Sequence, residues 1–550
     1  RPGVVSPAGA QGVAQFMPGT AAERGLADPF DPEQAIPHAA RLLTDLRKRF
    51  GNLGLAAAAY NGGPGRVSAW LAGTGGLPGE TLPTRNPHPN SVNAEVALAG
   101  REDVDRAVAA AQKAFPAWSR MPAADRGRIL LKLADLVEAN AEELARLEST
   151  DTGHPLRDSR MLDVPRTAGC YRYFGGMADK FQGETIPVEA GFLNYTLREP
   201  VGVVGQVVPW NFPLMFTSWK MAPALAAGNC IVMKPAEITP LTSLRIAELM
   251  AQAGVPAGVV NVVPGLGTVA GQHIAEHPGI AKIAFTGSTA TGRRIVQASA
   301  GNLKKVQLEL GGKGPNIVFE DANLAAAVNG SAWAIFHNQG QACIAGARLL
   351  LHEKIADAFL ERFLSLAQSI RLGNPLDEAT EMGPLTSAQH QQRVLSYVEV
   401  ARAEGREVLA GGKPPAGDDL AQGCYVEPTV VRAKTPRDRV AQEEVFGPFV
   451  TVLTFRDDAE ALAIANGTDY GLGAGLWTSS LQRAHRFARE LRAGMVWINS
   501  YKRVNPGSPF GGTGLSGYGR EMGFDAMREY TQVKSVWVNV DAQVAPHYPR

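Results

Sequence analysis

From Arg101 the apolar positions Val104, Ala107, Val108, Ala111 and Phe115 recur at intervals of three and four, and Ile129, Leu130, Leu133, Ala134 and Val137 repeat the pattern. That spacing places apolar groups on one stripe and predicts two amphipathic helices packed on a common core. Between about 200 and 320 the pattern changes to short β-branched runs at 203–208, 230–233, 259–263, 282–285, 306–310 and 316–319, with helical stretches between them. Uninterrupted apolar strands separated by helices fit a parallel sheet covered on both faces. A doubly wound α/β arrangement is therefore expected, with a nucleotide site at the carboxyl ends of its strands. A second α/β segment runs over about 348–499. Over 530–540, Lys534, Val536, Val538 and Val540 alternate with Ser535, Trp537 and Asn539. This predicts a terminal strand with one apolar face, paired with another sheet such as a partner subunit's.

Gly62, Gly63, Pro64 and Gly65, then Gly73, Gly75, Gly76, Pro78, Gly79, Pro83 and Pro87, crowd residues 62–90 and mark a domain boundary or linker. Before it, helical patterning covers 32–50, and a second apolar stretch covers 53–60. The chain of 550 residues is long enough for several apolar cores. Lys plus Arg number 54 against 53 Asp plus Glu, with no block of like charge, so no nucleic-acid partner is expected. The longest apolar run is far below the roughly 18 residues of a membrane helix, so no membrane association is expected either. The four cysteines, Cys170, Cys230, Cys343 and Cys424, show no CxxC spacing. That argues against a disulfide framework and a Cys-rich zinc site and for reduced thiols in a cytoplasmic protein. The ten histidines are scattered with no HExxH, so no metal is expected. The chain opens with Arg1 and lacks the n-region and h-region of a signal peptide, which reads as a truncated or processed product.

Three segments carry candidate chemistry. GLGTVAG at 265–271 follows a strand and opens a helix, where a pyrophosphate would meet backbone N–H groups and the helix dipole. Its GxGxxxG spacing is one residue longer than the usual fingerprint, and a plain strand-to-helix turn fits equally well. GSTATGR at 287–293 lacks the GK[ST] of a P-loop, leaving only N–H groups and the Ser288 hydroxyl to hold a phosphate. Cys343 lies in HNQGQACI at 337–344, a stretch without acids. By itself it fits either an exposed nucleophile or a small buried hydrophobe. Cys230 sits inside an apolar strand, and Cys170 and Cys424 have no polar constellation around them.

From about 82 to 540 the chain resembles the aldehyde dehydrogenase superfamily. The resemblance rests on PWNFP at 209–213, KPAE at 234–237, FTGS at 285–288, ELGGK at 309–313, GQAC at 340–343, EVFGP at 444–448 and PFGG at 509–512, in the family's order. It implies NAD-dependent oxidation of an aldehyde to a carboxylic acid, with Cys343 the nucleophile, Glu309 the general base, Asn211 the oxyanion donor and Lys220 a further catalytic residue. The residue types suit that chemistry. A thiolate adds to the carbonyl, amide N–H groups hold the alkoxide at about 3 kcal/mol each, and a carboxylate activates water for thioester hydrolysis. Transfer of the acyl group to coenzyme A instead would leave Glu309 without a use. A third reading is a peptidoglycan-binding protein with an inert dehydrogenase-like body.

The resemblance also implies that Lys234 and Glu237 hold the adenosine ribose, Trp210 and Ser288 contact the pyrophosphate, and Glu444 and Phe446 contact the nicotinamide ribose and ring. Gly267 and Gly287 belong to the same cofactor surface. The Glu237 carboxylate would repel a 2′-phosphate, which favours NAD over NADP. Phe212, Met215, Phe216, Trp219, His337, Tyr501, Val504 and Phe510 occupy substrate-tunnel positions and suit a medium-sized apolar or aromatic aldehyde, although each equally fits plain core. The implied layout is an NAD-binding domain at 76–180 and 200–310, a catalytic domain at 311–515, and oligomerisation strands at 181–199 and 527–541 in a homodimer or homotetramer. Relatives begin with a strand hairpin that the linker stretch is expected largely to replace here.

Residues 1–75 are similar to something else. SPAGAQG at 6–12, Met17-Pro18 and AYNGGPGRV at 59–67 resemble the lytic transglycosylase domain, whose members have AYNAGPG. That family's catalytic glutamate precedes the SPAGA segment, and here nothing acidic appears before Glu23. Glycan cleavage needs a carboxylic acid of raised pKa, so this short helical segment is expected to be inactive.

Overall fold

The predicted apolar stripes become helices that bury them. In the computed structural model, which describes residues 81–541 and 547–548, Val104, Ala107, Val108 and Ala111 are buried along Arg101–Arg120. Leu130, Leu133, Ala134 and Val137 are buried along Ala123–Ala139. The first helix begins where the Gly100 N–H donates to the Asp103 carboxylate at 2.8 Å, satisfying an otherwise orphaned end. It packs on the strands Val203–Val207 and Cys230–Lys234, and the second helix packs on Val164–Met177.

The strand runs form two parallel sheets. The first has the order Gly517–Tyr518, Lys305–Glu309, Lys282–Thr286, Val203–Val207, Cys230–Lys234, Val260–Val262, with only the Gly517–Tyr518 edge antiparallel. The middle strands are buried at every residue, as expected of a sheet covered on both faces. Val203–Val207 comes first in the chain and lies in the middle. The chain leaves it in one direction through Cys230–Lys234 and Val260–Val262 and returns on its other side at Lys282–Thr286. That reversal opens a crevice at the strands' carboxyl ends.

The run at 316–319 is a strand, Pro315–Val318, but it belongs to the second sheet. That sheet has the order Glu407–Ala410, Thr429–Arg432, Phe449–Phe455, Arg348–His352, Pro315–Val318, Gly473–Trp477, Met495–Ile498, parallel except at Glu407–Ala410. Residues 310–314 therefore carry the chain from one sheet to the other, beside the end of Lys305–Glu309.

Two expectations need correction. The Gly/Pro-rich stretch is not linker as far as residue 90. Thr81–Arg85 pairs antiparallel with Val92–Ala97, so the hairpin expected to be missing is present. The terminal strand, Thr531–Asn539, pairs along its whole length with Phe192–Pro200 of the same chain, and Thr185–Ile186 completes a three-stranded antiparallel sheet. Its apolar groups are not confined to one face, because Val533 and Trp537 are exposed on one side and Val538 and Val540 on the other. The segment at 1–75 lies outside the described residues. Among the described residues, no helix is long and apolar enough to cross a membrane.

Candidate active site

A cleft opens where the carboxyl ends of the first sheet meet the second. Trp210, Asn211, Ser288, Glu309, Cys343, Glu444 and Phe446 line it, together with Gly287 and Gly311. The first sheet supplies its share from strand ends: 210–211 after Val203–Val207, 287–288 after Lys282–Thr286, and Glu309 as the last residue of its own strand. Ser288 caps the helix Thr289–Ala298, its hydroxyl accepting from the Thr291 N–H at 3.3 Å.

Cys343 follows a strained turn. Asn338, Gln339 and Gly340 have φ values of 54°, 52° and 68°, and a Cβ at Gly340 would collide with the Gly447 carbonyl. Left-handed conformations at non-glycine residues persist only where the surroundings hold them. Here the Gln339 amide donates to the Gly153 carbonyl at 3.1 Å, and the Gln341 Oε1 accepts from the Thr386 N–H at 3.0 Å. Cys343 is the only cysteine of the four not fully buried. Burial, with Glu444 and Glu309 beside it, still pushes its thiol up to about 12, while the N–H groups of Ile344 and Cys343 work the other way.

The Asn211 Nδ2 donates to the Gln341 carbonyl at 2.9 Å, which fixes the amide plane and leaves its second N–H for the cleft. Its backbone carbonyl accepts from the Asn338 Nδ2 at 3.0 Å and from the His154 Nε2 at 2.9 Å. The His154 Nδ1 is 2.9 Å from Asp163. Burial opposes a charge on His154, but Asp163 outweighs it and raises the imidazole pKa. Sequence reasoning missed His154. Folding brings it together with Asp163 and Glu148, and brings Asp105 to His273 and His277, clusters that the scattered histidines did not announce.

Glu309 is buried, and neither carboxylate oxygen has a hydrogen-bond partner. Burial and then Glu521 raise its pKa well above the ordinary carboxylate range, with Lys220 and Arg520 opposing. Lys220 does not line the cleft. Its ammonium makes a fully buried ion pair with Glu521, so it reaches Glu309 only through space. The Glu444 Oε1 accepts from the Gly312 N–H at 2.9 Å, and burial lifts its carboxyl to about 7. His390 and Arg393, which the sequence did not single out, also line the cleft, and burial holds His390 down to about 4.

Lys234, Glu237 and Gly267 gather beside the cleft. The Lys234 Nζ donates to Glu237 at 3.0 Å and to the Pro235 and Gly265 carbonyls at 2.6 and 2.9 Å. Glu237 also accepts from the Gly267 N–H, and burial, opposed and outweighed by Lys234, leaves its carboxyl lowered. A Cβ at Gly267 would meet only open space. An ionised carboxylate at a half-exposed rim with open space beside it suits ribose hydroxyls, so these residues fit a dinucleotide.

A second pocket is also lined by Cys343. Phe212, Met215, Phe216, Trp219, His337, Val504 and Phe510 line it as expected. Tyr501 does not. It is buried in core, its ring 5.0 Å from Trp497. Its neighbour Lys502 lines the pocket instead, with Arg166 and Trp333.

A thiol that lines both pockets, a buried carboxyl and a fixed amide thus come together at one place. The Aldehyde dehydrogenase family model matches residues 75–536, and the Transglycosylase SLT domain model matches 1–82. The chain is 46% identical to a mitochondrial aldehyde dehydrogenase of Rattus norvegicus over 465 residues, 84% of this chain and 89% of that protein. PnpE from Pseudomonas sp. WBC-3, solved also with nicotinamide adenine dinucleotide, is 69% identical with a TM-score of 0.85, covering 86% of this chain and 96% of that one. Betaine aldehyde dehydrogenase from Staphylococcus aureus, solved in complex with NAD+, is 40% identical with a TM-score of 0.84, over 86% and 94%. The chain belongs to the aldehyde dehydrogenase family.

Proposed function

We propose that this aldehyde dehydrogenase oxidises its substrate with NAD through a thioester on Cys343 that Glu309 helps water to hydrolyse. The observation that carries the reading is the shared cleft: a part-exposed thiol, a buried carboxyl with both oxygens unpaired, and an anchored amide face one space. NAD, when bound, accepts the hydride that leaves the carbonyl carbon. Cys343 supplies the electron pair that attacks that carbon. The free N–H of Asn211 and the Cys343 N–H hold the developing alkoxide. Glu309, once ionised, takes a proton from the water that cleaves the thioester. An acyl transfer to coenzyme A would not need such a base, so the unpaired Glu309 supports hydrolysis.

Lys234 and Glu237 hold the adenosine ribose in this reading, with Trp210, Ser288, Gly267 and Gly287 around the pyrophosphate and Glu444 and Phe446 at the nicotinamide. The first sheet with its helices is the cofactor domain, extended by Gly517–Tyr518 beyond 76–180 and 200–310, and 311–515 is the catalytic domain. The chain assembles as a dimer or tetramer through the three-stranded sheet, where Leu193, Leu197, Val533 and Trp537 lie exposed. Four free cysteines favour a cytoplasmic setting. The test is NADH absorbance across an aldehyde panel, with Cys343→Ala alongside. Turnover by the parent and none by the variant is expected; equal turnover by both would overturn the assignment.

A further inference from the structure

The second pocket holds two basic side chains without a counter-ion among the described residues. Arg166, on the helix Val164–Met177, makes no hydrogen bond or ion pair among the described residues. Lys502 is 95% buried, and its ammonium has a single long contact, 3.5 Å to the His337 carbonyl. Buried charges are ordinarily paired, because desolvation without a partner is costly. The nearby acids are engaged elsewhere: Asp163 with His154 at 2.9 Å and Asp158 with Arg157 at 3.5 Å. Lys502 also has a left-handed backbone, φ 56°, the kind of strain that clusters at ligand-contacting positions.

We propose that the substrate is an aldehyde carrying a carboxylate remote from its carbonyl, with that carboxylate held by Arg166 and Lys502. This rests on the reading of Cys343 as the nucleophile, since the same pocket reaches the sulfur. The aromatic walls Phe212, Trp219 and Phe510 take the carbon skeleton between the two ends, and a guanidinium with an ammonium offers the carboxylate both a planar fork and a point charge. Two further effects agree with an anion's place. Burial and then Lys502, His154 and Arg166 push the His337 imidazole well below its ordinary range, so the pocket already bears a positive field. Burial and then Arg166 hold Lys502 down to about 7, although the Cys343 sulfur opposes this, and an arriving carboxylate restores its proton. The medium-sized apolar aldehyde expected from the sequence describes the walls but not these two groups.

The test compares kcat/KM for matched pairs: 4-oxobutanoate against butanal, 5-oxopentanoate against pentanal, and 4-carboxybenzaldehyde against benzaldehyde. A preference of about 10²-fold or more for the anion is expected in at least one pair, since a site built to bind a polar group rejects the analogue lacking it. In Arg166→Met and Lys502→Met that ratio should fall 10-fold or more, whichever way the absolute rates move. Binding of glutarate and terephthalate against their dimethyl esters, followed by quenching of Trp219 and Trp333 fluorescence, reads the site without turnover and should favour the dianions. Neutral aldehydes used as well as their anionic partners, or a ratio unchanged in both variants, would overturn the proposal and leave the dehydrogenase reading intact. NADH formation with no aldehyde, while the dianions still bind preferentially, would sink the dehydrogenase reading and keep the anion site.

Discussion

Replacing Glu309 by Gln separates the two halves of the reaction. The change removes no hydrogen bond, because both Glu309 oxygens are unpaired, and it keeps the shape of the neutral acid that burial favours. Attack by Cys343 and hydride loss remain possible, but water is no longer activated. Loss of a general base costs roughly 10²- to 10⁴-fold in kcat, or about 2.7–5.4 kcal/mol at 1.36 kcal/mol per decade. Rapid mixing with aldehyde and NAD should then give at most one NADH per active site, followed by a slow phase, with the acyl group found on Cys343 by mass spectrometry. Stability gives an independent measure. The folded pKa of Glu309 lies above its unfolded value, so the parent's stability relative to the variant is highest below about pH 4.5. It declines as pH rises from there through the raised pKa, by up to about 1.4 kcal/mol per unit. Melting temperatures of the two proteins should therefore diverge in the variant's favour with rising pH. Unchanged steady-state turnover, or an adduct on Cys170, Cys230 or Cys424, would refute the assignment of roles.

Two more outcomes are expected. His154→Ala should lower kcat by 10- to 10²-fold, no more than the 10² to 10³ that an oxyanion donor supplies, and should add nothing to Asn211→Ala, because His154 acts by holding the Asn211 backbone. Additive losses in the double variant would show that His154 acts by another route. Trp537→Glu places a charge on the exposed apolar surface of the three-stranded sheet and should shift light scattering toward smaller species, whereas a monomeric parent at micromolar concentration would remove that sheet's assembly role.

What the sequence made legible was whatever a local pattern determines. Helical stripes at 101–139 and five strands of the first sheet stand within a residue or two of their expected positions. The sixth run, 316–319, shows the limit: period and composition identify a strand but carry nothing about which sheet receives it. The pocket residues show another. Alternation cannot choose between Tyr501 and Lys502, because left-handed residues at Asn499 and Lys502 break the register after Met495–Ile498. Arg166 follows a π-helical stretch, Ser159–Asp163, which rotates the helix face away from a 3.6-residue count. His154 is joined to Asn211 across 57 residues, a contact that no local pattern encodes. Lys220, which the resemblance implied as a catalytic residue, is held in a buried ion pair with Glu521, a partner 301 residues away that no local pattern announces.

The ionisable groups of the cleft share one cause and divide by sign. Burial raises Cys343 to about 12, Glu444 to about 7 and Glu309 well beyond its ordinary range, and it lowers Lys502 to about 7. Burial therefore disfavours the charged form of the thiol and of Glu309 alike. This suits the order of events. Glu309 is among the groups that raise the thiol, so an ionised Glu309 during attack would oppose formation of the thiolate, as two neighbouring anions always do. A protonated Glu309 removes that opposition. Once the sulfur carries an acyl group it has no proton left to lose, so an ionised Glu309 no longer opposes any step at the sulfur and can take a proton from water. The same desolvation that makes the thiol reluctant thus separates the two anions in time, and behind Glu309 the Glu521 carboxylate adds to that effect while the Lys220 ammonium opposes it.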